Sequence, residues 1–440
     1  MLVTEGRASK KGRVAFAVTA LVLAVGAFVL FLLVPVLCRV VLWTCVVLAT
    51  GIVVRQVLTS LLARTVRKLP LADPQRLPDI AFVIPCLNEL PSLMHAVPAL
   101  RKLDYGGRLL FCYVCETAST DGSLEYLQEC ARQDSRIVLI EKLTAPAGRG
   151  ATIQYGLDHA PPCEVVGFLD ADHVIVQDSL DQLAGLFGSE GGPEAVQGIC
   201  LTAQQRPNWL ARLLTVERQW LERVELQAAC RLGGFCNIGG GQGFLRRSIF
   251  TNPGLRIDEA MILDDTDLSC RLALKDHRVV FDTRVSTYSR VPETLAEFLD
   301  QRYRWASGYL QLLTKHLASP LRRAPIRPML RADLLRFVLT PLGMTGLYFG
   351  FPAALAAFAS GRSAPAWQVA TCLLWPFLLG PGPYVAGVRT RWRDVPLTLL
   401  GIPALIYIYC SFGGAGVVDQ FILHRPARYA KTAKPGPPAR

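Results

Sequence analysis

Charge is what this sequence has least of. Only 19% of its 440 residues are charged, against about a quarter in ordinary soluble proteins, while 51% are hydrophobic. The mean hydropathy is +0.31. That scarcity excludes a simple soluble enzyme and a disordered chain. The length suits roughly two or three domains, and the composition points to residence partly in lipid. Acidic residues are scarcer than basic ones: 47 Lys and Arg stand against 35 Asp and Glu, leaving +12. On a chain of this hydropathy the excess reads as anchoring at the cytoplasmic face, not as nucleic-acid binding.

Metal-finger and disulfide patterns are also missing. The six histidines are scattered and form no H-E-x-x-H. Of the thirteen cysteines, Cys38, Cys45, Cys372 and Cys410 lie in apolar runs, and Cys112-x-x-Cys115 has neither a second pair nor nearby histidines. The thiols read as buried and reduced. The glycine-rich NIGGGQGF around Gly239–Gly243 lacks the Lys-Ser/Thr of a phosphate-binding P-loop. It reads instead as backbone that something bulky must approach closely.

Long hydrophobic runs are present. Residues 14–37 are uncharged and long enough to span a bilayer, a second run covers 40–62, and Arg7, Lys10, Lys11 and Arg13 place the N-terminus inside. Further spans are expected at 337–360 and 366–388. The run 395–423 either spans, or lies in the interface or dips and returns, and Pro396, Pro403, Gly413, Gly414 and Asp419 favour the second option. The expected organisation is an N-terminal membrane region (1–71), a cytosolic domain (72–318), interfacial and membrane helices (319–424), and a basic cytosolic tail (425–440).

Within 72–318 short apolar strands alternate with helical patterns: 80–84, 109–115, 137–140 and 165–169, each followed by a polar turn. That rhythm predicts βαβ units and an α/β domain with a mostly parallel sheet. Ligands bind such sheets beyond the carboxyl ends of the strands. Those ends are acidic: Glu89 in PCLNE, Glu116 in ETASTDGS, and Asp170 and Asp172 in DADH. Two aspartates at i and i+2 on an extended strand end point to one side and can approach one hard cation, Mg2+ or Mn2+. A helix-capping turn is the plainer alternative. His173 reads as a helix-entry residue. A second cluster, Asp264, Asp265 and Asp267, opens a helix, either as its cap or as the source of a general base. Gln301, Arg304 and Trp305 in QRYRW share one helix face. A cation, an amide and a flat ring there suit a phosphate beside a sugar, or else a helix resting on the membrane.

In this order the motifs resemble the membrane-bound family 2 glycosyltransferases, the group of the cellulose, chitin, hyaluronan and poly-N-acetylglucosamine synthases. The resemblance covers 80–315 and the flanking spans. It implies a cytosolic GT-A domain, Rossmann-like in its sheet, joined to transmembrane helices. It implies that Pro85, Asn88, Glu89 and Glu116 line the nucleotide pocket of a UDP-sugar donor, with Glu116 standing where the family has aspartate. Arg149 stands where the family has lysine near the diphosphate, and Asp170 and Asp172 would hold metal and diphosphate. Asp265 would be the base, with Asp264 beside it where glutamate is usual; Gln301, Arg304 and Trp305 would meet acceptor and diphosphate. Tyr429, Lys431, Thr432 and Lys434 resemble an element that closes over bound nucleotide.

The activity so implied is metal-dependent, inverting transfer of a sugar to a growing polysaccharide. Transfer of one sugar to a lipid acceptor is the alternative, and a non-catalytic scaffold or transporter the reading of another class. The expected setting is multi-pass in the plasma membrane, with the catalytic domain cytoplasmic. Few spans for a channel imply a homo-oligomer or an export partner. The sequence names no sugar, linkage or acceptor.

Overall fold

The computed structural model describes residues 10–64, 76–143, 148–204, 207–251, 254–317, 326–361, 364–388 and 391–422. The expected closing element at 429–434 lies outside them.

An eight-stranded sheet has the order β3-β2-β1-β4-β7-β6-β8-β5. The strands are β1 (Ile80–Cys86), β2 (Leu109–Glu116), β3 (Ile137–Lys142), β4 (Val165–Phe168), β5 (Val174–Ile175), β6 (Ala195–Thr202), β7 (Gly243–Arg246) and β8 (Val279–Ser289). β3, β2, β1 and β4 are all parallel. β7 runs antiparallel to both β4 and β6, and β5 antiparallel to β8. The expected mostly parallel sheet therefore holds for the first half, and the whole sheet is mixed. The chain order reverses between β1 and β4, so the crevice beyond their carboxyl ends is a topological switch point.

Strand alternation sorts the core into two layers. Ile80, Phe82 and Ile84 with Phe111, Tyr113 and Cys115 fill one face; Ala81, Val83, Cys112 and Val114 fill the other. Cys112 and Cys115 therefore point to opposite faces and cannot share a metal, and none of the thirteen cysteines is in a disulfide. β4 carries Gly167 because its neighbours need the room. Phe82 and Phe244 pair with it in register on either side, and a Cβ there would lie 2.6 Å from the Phe82 ring. Phe82 also stacks on Phe111 at 5.5 Å. Burying such a ring is worth about 1.5–3 kcal/mol, so this aromatic row fixes β4 at the centre of the sheet.

The apolar runs form helices. Lys10–Leu33 and Pro35–Arg64 fold back on each other, since Ala20 and Cys45 both meet the stretch Tyr348–Gly350 of the helix Pro328–Ala359. Among the described residues three helical stretches are long and apolar enough to cross a membrane: Pro35–Ala63, Pro328–Ala359 and Trp392–Ile422. The expected span 366–388 is not one helix. Ala366–Leu374 passes into the 3-10 turn Trp375–Leu378, then into the short helix Gly382–Val385, because Pro376, Pro381 and Pro383 cannot continue the backbone bonds. The expected dip at 395–423 is not seen either. Val395–Val417 is unbroken despite Pro403, and Gly413 and Gly414 serve close packing on Met344 and Tyr348.

Two amphipathic helices join the sheet to this bundle. Trp209–Trp220 continues through a π-helical turn, Leu221–Leu226, into Gln227–Arg231. Leu295–Leu317 carries QRYRW. Leu210, Leu213, Leu214, Trp220, Val224 and Phe298 belong to the same apolar core as Phe31, Leu42, Leu347 and Ile402.

Candidate active site

The loops after β1 and β2 are stitched together by short polar side chains. Asn88 takes a left-handed conformation, φ 49°, which asparagine tolerates better than most residues. Its Oδ1 accepts from the Thr120 amide at 2.8 Å, and its own amide donates to Ser119 Oγ at 3.2 Å. The Glu89 amide donates to Ser123 Oγ at 2.9 Å, and its carboxylate accepts from Ser92 Oγ at 2.8 Å. Asp121 accepts from the Leu90 amide at 2.9 Å, which, with the Ser123 bonds, outweighs burial and lowers its carboxyl. Pro85 is part of β1, opposite Val114. Glu116 is buried at the end of β2, accepts from Thr152 Oγ1, and lies 4.0 Å from the buried ammonium of Lys142 at the end of β3. Sequence reasoning passed over Lys142; its burial is visible only once β2 and β3 pair in register.

The DADH segment follows β4 directly. The two aspartates cap no helix: the next one begins at Gln177, after β5, and Val176 at its N-cap makes no side-chain bond. His173 is correspondingly not a helix-entry residue. Its amide closes a turn onto the Asp170 carbonyl at 2.9 Å, and its Nδ1 lies 3.2 Å from Asp172. Burial disfavours the imidazolium, but Asp172 and Cys200 outweigh it and hold the ring pKa up at about 10.

Arg149, first residue of the helix Arg149–His159, bridges two motifs. Its Nε donates to Asp170 at 2.9 Å and its Nη1 to Asp264 at 2.6 Å. Asp264 is 3% exposed, and burial raises its carboxyl to about 6 against the pull of Arg149. Asp265, in the same helical turn, lies beside Gly240: a Cβ on that glycine would sit 2.9 Å from Asp265 Oδ2 and 2.6 Å from Arg149 Nη2. Gly241, at φ 91°, leaves equivalent room for the His173 ring. The bulky groups that the glycine run admits are thus the site's own side chains. DADH, Arg149 and the Asp264–Asp265 pair are brought together around one loop.

The acidic cluster itself divides. Asp267 faces away, fully buried, with His316 Nε2 at 2.8 Å, Lys315 Nζ at 2.6 Å and Arg271 Nε at 2.8 Å. Burial alone would raise its carboxyl, but these partners pull it down to about 2. Its role is structural.

The QRYRW helix is pinned to the same region. Gly308 packs on Leu263, and Gln311 accepts from the Ile262 amide at 2.9 Å, immediately before Asp264. Burial and the nearby Asp265 charge push the Tyr309 phenol up to about 12. Gln301, Arg304 and Trp305 are half-buried on this helix.

Behind Asp172 lies a polar cluster that periodicity could not reveal, because its members are far apart in sequence. Cys200 Sγ is 3.8 Å from His173 Nε2, 3.2 Å from Arg218 Nη1 and 3.0 Å from Ser289 Oγ. Burial opposes a thiolate, yet Arg218 and His173 bring Cys200 down to about 6. Glu222, in the π-helical turn, accepts from the Cys200 amide and from Gln242 Nε2, each at 3.0 Å. Burial, then the Cys200 charge, raises it to about 8.

Among the described residues no group of three or more His, Cys, Asp or Glu side chains is disposed to hold a metal ion. Asp170 and Asp172 offer two carboxylates. Mg2+ is commonly held by one or two carboxylates together with substrate phosphates. The donor set therefore fits a cation shared with a bound diphosphate and does not fit a resident structural ion.

The model of glycosyl transferase family group 2 matches residues 165–382. A poly-beta-1,6-N-acetyl-D-glucosamine synthase of Staphylococcus epidermidis is 24% identical over 252 residues, 57% of this chain and 59% of that protein. Its counterpart in Staphylococcus aureus (strain COL) is 22% identical over 258 residues, 59% of this chain and 61% of that protein. The match thus spans less than two thirds of those relatives' length. In fold, the chain is similar to a mannosyltransferase of Pyrobaculum calidifontis solved with GDP-Man and Mn2+: TM-score 0.64, 17% identity, 88% of this chain and all of that one covered. The mixed sheet is GT-A-like in fold, and the stretch 165–382 is similar to glycosyl transferase family group 2.

Proposed function

We propose that this chain is a membrane-embedded, inverting glycosyltransferase that moves a sugar from a UDP-sugar to a growing polysaccharide at the cytoplasmic face. The observation that carries the reading is the Arg149 bridge, which joins Asp170 after β4 to Asp264 beside Asp265. The names of the curated relatives support polymer synthesis and make UDP-N-acetylglucosamine the first donor to test.

In this reading the Asn88–Glu89 loop, Glu116 and Pro85 border the nucleotide. Asp170 and Asp172 would hold Mg2+ or Mn2+, which would offset charge on the diphosphate when donor is bound. Arg149 and Arg304 supply fixed positive charge where the leaving diphosphate develops its own. Asp265 accepts the proton of the acceptor hydroxyl as that oxygen attacks the anomeric carbon. The attack displaces the diphosphate from the opposite side and inverts the anomeric centre. Gln301 and Trp305 hold the acceptor, the indole stacking on a sugar ring.

The test is a membrane preparation given labelled UDP-sugars, with product followed by gel and by organic extraction. A labelled polymer is expected. Asp265→Asn should lower transfer by about two orders of magnitude or more, and excess chelator should stop it. A chloroform-soluble product of fixed size would replace the polymer reading with transfer to a lipid. Full activity in Asp265→Asn would remove the base.

A further inference from the structure

QRYRW holds two arginines, and the mechanism above uses only Arg304. Arg302 is 7% exposed, at the junction of three helices: its own, Trp209–Trp220 and Val395–Val417. Its Nη2 donates to Glu217 Oε2 at 2.5 Å, and the other Glu217 oxygen accepts from the Tyr409 hydroxyl. The guanidinium carbon lies 4.2 Å from the centroid of the Trp305 ring, and 5.2 Å from those of Phe298 and Tyr409.

Stability is a poor reason for this arrangement. A buried ion pair roughly breaks even against apolar residues of the same volume. Orientation is a better one. A planar guanidinium lying over an indole is attracted to its face and, unlike an ammonium, covers it flat. One face of Trp305 is thereby occupied from within the protein. The ring is nevertheless only partly buried, so part of it stays open to a ligand. The brace behind the guanidinium comes from two other elements, Glu217 on the amphipathic helix and Tyr409 on the apolar one.

We infer that Arg302, braced by Glu217 and Tyr409, is a positioning residue that presents one face of Trp305 to the acceptor sugar and ties that platform to the helix Val395–Val417. The inference rests on the proposed role of Trp305 in holding acceptor.

The experiment uses the full chain in detergent. Trp305 emission is isolated from that of the other tryptophans by subtracting the spectrum of Trp305→Phe. Arg302→Lys keeps the charge opposite Glu217 but loses the flat cover. In it, Trp305 emission should move to longer wavelength and be quenched by acrylamide about twice as readily, with the unfolding midpoint held within a few degrees. With UDP-N-acetylglucosamine and a β-1,6-linked N-acetylglucosamine oligomer, the donor KM should stay within about twofold while the acceptor KM rises about tenfold. Unchanged Trp305 emission and quenching in Arg302→Lys would overturn the inference, as would donor and acceptor KM rising together. Should Arg302→Lys fail to fold, Tyr409→Phe removes only the outer hydroxyl and is read by the same two measurements against the same outcomes. Asp265→Asn in the same assay separates the two levels. Transfer surviving there sinks the proposed function while leaving the emission result intact.

Discussion

Glu222 illustrates how far a single side chain can depart from its ordinary chemistry. Its carboxyl is raised to about 8, first by burial and then by the Cys200 charge. A carboxyl raised on folding gives stability that is whole below its unfolded pKa of about 4.3 and is lost as pH rises through the folded value. The wild-type chain should therefore lose stability between pH 4.5 and pH 9 by this route, and Glu222→Gln should flatten that dependence. At pH 7 the substitution should raise the unfolding midpoint, since glutamine resembles the neutral acid but spares the chain the proton uptake that folding then requires. A large loss of the thermal midpoint at pH 7 would mean that the carboxylate is charged. None of this was legible in the sequence, because Glu222, Cys200 and Gln242 meet only after β6 and the amphipathic helix pack. Asp170 and Asp172 were legible, because a strand end followed by D-x-D places both by local geometry alone. Arg149 was half legible: its position was marked, but its bond to Asp264 crosses more than a hundred residues.

Among the elements, the helix Asp264–Leu274 does two things with one acidic run. Its first turn faces Arg149 and Gly240, while Asp267 locks it to the end of the helix Leu295–Leu317 through Lys315 and His316. A carboxyl lowered to about 2 contributes stability that is present above pH 4 and lost as pH falls toward 2. That contribution is about 2 kcal/mol. Asp267→Asn should lower the unfolding midpoint at pH 7 and lose the acid-side slope belonging to this group, as measured by melting the purified chain across pH. An unaltered midpoint would show that the clamp carries no weight. Strands β1 to β4 were readable as apolar runs ending in polar turns. β5 to β8 were not: β5 has two residues, β7 four, and β8 mixes Asp282, Arg284 and Thr287 with Val285 and an exposed Tyr288, without a regular alternation of buried and open positions. The break in 366–388 was also missed, since hydropathy averages over the prolines that end the helix.

For the molecule as a whole, composition foretold an apolar part, and among the described residues three helices are long and apolar enough to cross a bilayer. Carbonate washing of membranes that hold the chain should leave it in the pellet; release into the supernatant would contradict the membrane-embedded reading. What composition could not foretell is how the two parts join. The π-helical turn Leu221–Leu226 sets Glu222 toward Cys200 of the sheet and Glu225 toward Arg55 and Thr59 of the helix Pro35–Arg64. A regular helix turns about 100° per residue. Deleting one residue from this wider coil would restore the ordinary repeat and swing one of the two glutamates off its mark. The extra residue lets a single rod grip a neighbour on each flank, which makes it the hinge-pin on which the alignment of sheet and bundle depends.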